Sequence, residues 1–221
     1  VKDAYLMCDK LGLQRKYIDL TPVLEKFGIY NLIFRKFFPG RTLTSLFVKI
    51  GYRFFGREQN PYVEGLLGAR KEWIRRVDAY HRIKHRLRMC LLYHYAEKFN
   101  YLVVGTANRS EALSGFFVKY GDGVADAMPI LHLYKTQVYE LAEELDVPEK
   151  ILRKAPSPDL IPGITDEFAI GMSYRDADRI LMKMEKGEDL SGEDPEKVER
   201  IKEILENVRF REVRMKSLLL G

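Results

Sequence analysis

An α/β domain built on a parallel sheet is the fold class that this sequence predicts, and three observations carry the prediction. Residues 101–130, YLVVGTANRSEALSGFFVKYGDGVADAMPI, open on a short apolar run, Leu102, Val103 and Val104, that ends at Gly105. Thr106, Asn108, Arg109, Ser110 and Glu111 follow at once, as at the carboxyl end of a parallel strand, where open sheets place their ligands. Second, the chain begins with a helical pattern, a strand pattern and another helix, the succession from which βαβ units are made. Third, amphipathic helical patterns fill most of the sequence after residue 130.

Residues 3–11 read as the end of an amphipathic helix, with Ala4, Met7, Cys8 and Leu11 at helical spacing and Gly12 as its stop. Residues 16–20 read as a strand, and Thr21-Pro22 opens the next helix. Residues 28–57 hold no Asp or Glu, but hold Arg35, Lys36, Arg41, Lys49, Arg53 and Arg57 among the aromatics Tyr30, Phe34, Phe37, Phe38, Phe47, Tyr52, Phe54 and Phe55. A membrane-surface segment, a nucleic-acid surface or a substrate lid would use that pattern. The expectation is instead a packed helical insertion, spanning about residues 28–80, near the active-site mouth or a subunit interface. A charged helical run with Trp73 leads into a helix over residues 80–99, where Met89, Leu92, Tyr93 and Ala96 share a face.

Residues 136–147 predict a helix with Val138, Leu141, Ala142 and Leu145 on one side, stopped by Pro148. Residues 154–163 form a proline-rich loop. Helix resumes at Asp166, with Tyr174, Ala177, Ile180, Leu181 and Met184 as its buried face. After a charged turn over residues 185–195, Val198, Ile201, Ile204, Leu205 and Val208 mark the last helix. No internal repeat or low-complexity tract is present.

Lys and Arg outnumber Asp and Glu by 37 to 32, a formal charge of +5. That excess suits a phosphate-rich ligand or a solvated basic surface, and does not require nucleic acid. Cys8 and Cys90 lack metal-ligand spacing and read as buried thiols of a reducing, cytoplasmic environment. No membrane span or signal peptide is seen in the sequence.

GTANRSE, KYGDG, LYKTQVYELA, KAPSPDL and TDE occur in an order and spacing that resemble the ammonia-dependent NAD synthetases, members of the PP-loop ATP pyrophosphatases. The resemblance implies a Rossmann-like twisted parallel sheet flanked by helices, in one domain over residues 1–221. That family carries a pyrophosphate loop, Ser-Gly-Gly-x-Asp-Ser, after its first strand. No such sequence occurs here, and the expectation is that it lies upstream of Val1. HRIKHRLRM resembles the family's Asn-Ile-Lys-Ala-Arg-x-Arg-Met, keeping Arg86, Arg88 and Met89 but placing Arg82 where the Asn stands.

The implied reaction adenylates a carboxylate with ATP, releases pyrophosphate and lets ammonia displace AMP. By the resemblance, Glu111 holds Mg²⁺; Thr106, Arg88, Lys135 and Ser157 contact ATP; and Arg86, Lys119 and Asp126 line the deamido-NAD site. Asp122 lies near ammonia and, with Lys135, is counted as catalytic. Read without the resemblance, Glu111 is an acid in a helix's first turn and Thr106 an N-cap. Asp122 is then an Asp-Gly turn, and Arg86, Arg88 and Lys135 are solvated helix residues. A homodimer is expected. No glutaminase domain is visible, so free ammonia is the nitrogen source unless a separate glutaminase partner supplies it. Arg82, Val124 in place of a second family glycine, and the tail over residues 211–221 keep two alternatives open: an amidoligase for another carboxylate, or a catalytically silent nucleotide-binding paralogue.

Overall fold

The computed structural model describes residues 2–32, 71–157 and 165–216, without the side chains of Trp73 and residues 209–216. The expectations for residues 33–57, for the remainder of the insertion to residue 70, and for residues 158–163 of the proline-rich loop lie outside the described residues. The elements are α1 (Lys2–Lys10), α2 (Thr21–Lys26), a 3₁₀ turn (Ile29–Leu32), α3 (Glu72–Phe99) and α4 (Arg109–Ser114). They continue with α5 (Lys135–Glu144), α6 (Glu149–Leu152), α7 (Asp166–Ile170), α8 (Tyr174–Lys186) and α9 (Pro195–Lys216).

Periodic apolar residues decide the main core. Ser173 caps α8, its hydroxyl accepting from the Asp176 amide at 3.2 Å, and Gly187 stops the helix at φ 66°. One face of α8, Tyr174, Ala177, Ile180 and Leu181, then packs on Val198, Ile201, Ile204 and Val208 of α9. Met184 and Leu205 join from the edge, partly buried. Burying each large aliphatic side chain contributes about 1.5–3 kcal/mol, so this pair of helices is the platform on which α4 and α5 sit. A smaller cluster, Leu24, Ile29 and Tyr80, joins α2 and the 3₁₀ turn to α3. The Arg76 guanidinium closes it by donating from Nε to the Leu32 carbonyl at 3.1 Å.

The sheet is where sequence and structure differ. Among the described residues there is no strand, only one parallel bridge, Val104 to Ala127. Residues 16–20 are not strand either, and Tyr17 is 65% exposed. A strand's amides are satisfied by the strand beside it. Here the one neighbour is the short turn at Asp126 and Ala127, whose amides both donate to the Val103 carbonyl, at 2.9 and 3.3 Å. Val103 is buried, whereas Leu102 and Val104 are 73% and 60% exposed.

Several apolar stripes are also less covered than their spacing predicts. No residue of α1 or α5 is fully buried: Ala4 and Leu141 are exposed, as are Leu11 and Leu145 just past the helix ends, and Val138 and Ala142 are half-buried. On α3, Ala96 is buried but Leu92 is exposed. Periodicity identifies an apolar stripe without identifying what lies across it. Both cysteines are free thiols, but Cys8 is only half-buried and Cys90 exposed, which corrects their reading as buried. No helix among the described residues is long and apolar enough to cross a membrane.

Candidate active site

The first cluster starts from a capping motif. Asn108, buried to 1% exposure, accepts from the Glu111 amide at 3.0 Å, while Glu111 Oε2 accepts from the Asn108 amide at 3.2 Å. This reciprocal box opens α4. The N-cap is thus Asn108 and not Thr106, which stands exposed in the loop before it. Glu111 Oε1 faces the Lys135 ammonium at 3.0 Å, with both side chains largely buried. Lys135 Nζ also lies 5.4 Å from the centre of the Tyr174 ring.

Asp178 of α8 holds these two helices in register. It is 1% exposed, and its Oδ2 accepts from the Thr136 amide in the first turn of α5 at 2.8 Å. Its Oδ1 accepts from the Ser110 hydroxyl, which in turn accepts from the Lys135 amide at 2.8 Å. A buried carboxylate at a helix N-terminus is stabilised by the free amides and their dipole. Beside it, Glu185 takes hydrogen bonds from the Arg109 guanidinium and the Tyr134 hydroxyl. Burial first, then the neighbouring Glu185, pushes the Tyr134 hydroxyl up to about 12.

Asp166 closes this side. Its amide donates to the Pro156 carbonyl at 3.0 Å, which brings the loop carrying the exposed Ser157 next to α7. The carboxyl is 4% exposed, takes the Tyr174 hydroxyl on Oδ2 at 3.1 Å, and leaves Oδ1 without a partner among the described residues. Burial raises its pKa, as do the charges of Glu111 and Glu167, against the opposing pull of Lys135 and Tyr174.

The second cluster lies where α3 meets the turn over residues 118–123. Asp122 Oδ1 accepts from the Val118 amide at 3.0 Å and faces His85 Nδ1 at 3.1 Å. Burial would push the Asp122 carboxyl up, but the His85 contact and the Val118 amide outweigh it and hold it below its ordinary value. Arg86 Nε donates to the Lys119 carbonyl at 3.2 Å. The glycines of the turn serve close approach: a Cβ on Gly121 would stand 2.8 Å from His85 Cβ, and one on Gly123 2.6 Å from the Phe117 ring. The left-handed position is Tyr120, at φ 63°. Asp126 accepts from the Val103 amide at 2.7 Å and from the Tyr93 hydroxyl at 3.2 Å, pinning the apolar run to α3.

Of the residues singled out in the sequence, Glu111 and Lys135 meet directly, and Arg86, Lys119 and Asp122 share one turn. Arg88 is exposed, and two residues along a helix of 3.6 per turn put it on roughly the opposite side of α3 from Arg86. Arg82 pairs with Asp78 one turn back, at 2.8 Å. Among the described residues no group of three or more acids, histidines or cysteines is placed to hold a metal. Mg²⁺ needs only one or two carboxylates beside phosphate and water, a demand that the single carboxylate of Glu111 fits. Sequence reasoning placed Asn108 and Ser110 in the ligand loop and Asp166 in the TDE motif without giving them a role, and it missed Asp178 and His85. The spacing of Asn108 and Glu111 is itself a capping-box signal, whereas Ser110 and Asp178 are too far apart in the chain for any local pattern to join them.

The buried Asp166 generates a prediction about pH. A carboxyl whose folded-state pKa is raised favours its protonated form in the fold. Its contribution is therefore best below the ordinary carboxylate range and is lost as pH rises through the raised value. In metal-free buffer, Asp166→Asn should melt higher than the unsubstituted protein at pH 7, with the gap closing toward pH 4. Thermal melts across that range check it; an Asn variant that is less stable by the same margin at both ends would contradict the reading.

Comparison with known proteins bears on the family and the fold. The family described as NAD synthase matches residues 61–214. A curated NH(3)-dependent NAD(+) synthetase from Thermotoga neapolitana is 53% identical over 206 residues, covering 93% of this chain and 70% of that protein. That from Thermotoga maritima is 52% identical, covering 93% and 73%. A solved NMN synthetase from Francisella tularensis superposes with a TM-score of 0.64 at 29% identity, covering 93% of this chain and 66% of that one. An NH3-dependent NAD synthetase from Campylobacter jejuni, solved in complex with the nitrate ion, gives 0.61 at 25% identity, covering 96% and 68%. The chain shares the fold of these synthetases, and on the matched span and the Thermotoga identities it belongs to the NAD synthase family.

Proposed function

We propose that this chain makes NAD by amidating deamido-NAD with ammonia, consuming ATP to AMP and pyrophosphate through an acyl adenylate. The observation that carries the proposal is the Glu111–Lys135 pair, 3.0 Å apart at the starts of two helices that Asp178 holds together. Carboxylate is a poor electrophile, and adenylation gives it a good leaving group. The protein's task is to neutralise phosphate charge and hold the reactants in line. Lys135 supplies a positive charge on a helix fixed by the Asp178 carboxylate, and with Thr106, Ser157 and Arg88 would bind ATP. Mg²⁺, held by Glu111 and phosphate oxygens, would supply charge neutralisation when bound. Arg86 braces the Lys119 turn from α3, and Lys119 with Asp126 would line the dinucleotide site. Asp122, kept ionised beside His85, would meet the ammonium ion.

The finer architecture follows the same reading. The bridge from Val104 to Ala127 would belong to a twisted parallel sheet of Rossmann-like kind, in a single domain over residues 1–221. A cytoplasmic homodimer using free ammonia completes the proposal. The likeness to an NMN synthetase gives a second reading of the same chemistry, in which the acceptor is a mononucleotide acid. A silent paralogue would retain the fold and lack the reaction.

Two measurements follow. The complete protein, given ATP, Mg²⁺ and ammonium, should release pyrophosphate with nicotinate adenine dinucleotide faster than with nicotinate mononucleotide. Faster release with the mononucleotide moves the substrate to the second reading, and no release with either supports the silent paralogue. Glu111→Gln keeps an oxygen for the Asn108 cap but removes the charge. It should retain the fold by circular dichroism and lose on the order of 10²-fold in rate. Unchanged turnover at limiting Mg²⁺ would remove Glu111 from metal binding.

A further inference from the structure

The structure brings His85 against Asp122 of the proposed site, and nothing in the implied reaction assigns it a role. It lies on α3, its side chain is 15% exposed, and its Nδ1 stands 3.1 Å from Asp122 Oδ1. A neutral imidazole has a single N–H, and the carboxylate facing Nδ1 selects that nitrogen to carry it. Nε2 is buried with no partner among the described residues. A buried ring nitrogen left as a lone pair costs less than a buried N–H left undonated, which favours the same tautomer.

The surroundings leave the ring little freedom. The Gly121 backbone lies so close that an added Cβ would come within 2.8 Å of His85 Cβ. The next residue, Arg86, holds the Lys119 carbonyl of the same turn at 3.2 Å. Two successive residues of α3 therefore fix one turn at both ends, His85 through a side chain and Arg86 through the backbone. The contacts from the Val118 amide and from His85 both end on Asp122 Oδ1. The side chain remains 48% exposed, so the carboxylate is braced on one oxygen and open to solvent beyond it.

We propose that His85 is a positioning residue of an ammonium subsite: its Nδ1–H orients the Asp122 carboxylate so that the outer oxygen receives the ammonium ion. This rests on the proposed amidation and on Asp122 as the acid that meets ammonium. An ionised carboxylate held by donors is a weak base, so its part is to bind and orient the cation, which gives up a proton to solvent before its nitrogen attacks. The effect of His85 therefore falls on ammonium affinity more than on turnover.

Steady-state kinetics of pyrophosphate release on the complete protein, with ATP and nicotinate adenine dinucleotide saturating and ammonium chloride varied, test the assignment. His85→Ala should raise the KM for ammonium roughly tenfold, about the worth of one hydrogen bond to a charged group, with kcat and the KM for ATP little changed. His85→Asn, which keeps an N–H within reach of Asp122, should restore most of the loss. Asp122→Asn should raise the same KM at least as much. If Asp122→Asn leaves it unchanged, the ammonium reading of Asp122 and the role of His85 both fall. If Asp122→Asn raises it and His85→Ala does not, Asp122 keeps its place and the inference about His85 alone fails. A uniform loss of kcat in His85→Ala that Asn does not rescue would show a packing residue and overturn the proposal. Imidazole nitrogen chemical shifts give a readout independent of activity. The unsubstituted protein should show His85 protonated on Nδ1, and a proton found on Nε2 instead would contradict the assignment.

Discussion

The buried carboxylate of Asp178 is the constraint on which the rest of the candidate site depends. It reaches out of the apolar face of α8 and accepts from the Thr136 amide at 2.8 Å and from the Ser110 hydroxyl. Ser110 accepts from the Lys135 amide in turn, so one carboxylate ties the opening turn of α5 to α4. A carboxylate this deep needs donors, and here they are one free amide of the α5 start and the Ser110 hydroxyl. Glu111 and Lys135 face each other because the helices carrying them are fixed from below by the same group.

The two clusters divide the proposed work. Glu111 and Lys135 rest on the α8–α9 core, with Asp166 as an acid whose second oxygen has no partner among the described residues. Arg86, Lys119 and Asp122 rest on α3, which is anchored separately through Tyr80 and Ala96. The segment from Val103 to Asp126 connects them, since Asp126 accepts from both the Val103 amide and the Tyr93 hydroxyl of α3. A reaction that joins a phosphate donor to a separate acceptor is served by two supports of this kind, tied by one connecting segment.

Much of this was legible in the sequence, for definite reasons. The α8 and α9 faces were read from Ile180, Ile201 and Ile204, because a stripe that repeats over several turns on both helices covers itself. Gly12 and Pro22 marked a helix end and a helix start by conformational demands of their own. Residues 16–20 and 102–104 have strand composition, but a strand is made by its neighbour, and among the described residues that neighbour is a single bridge. Leu141 and Leu145 illustrate the same limit on a helix. Asp178 with Ser110, and His85 with Asp122, join parts of the chain that no local pattern relates, and a histidine in mid-helix carries no mark of the carboxylate it will face.

The central claim is that Asp178 positions the Glu111–Lys135 pair for ATP-dependent chemistry without touching the reactants. Asp178→Asn is nearly isosteric and removes the charge that holds both helix starts. The most direct measurement is the rate of pyrophosphate release by this variant, at a temperature where circular dichroism shows it folded. A loss of at least on the order of 10-fold in kcat, about 1.4 kcal/mol, in a folded variant is the predicted result. An unimpaired rate would contradict the account, since the pair would then keep its geometry without the anion beneath it.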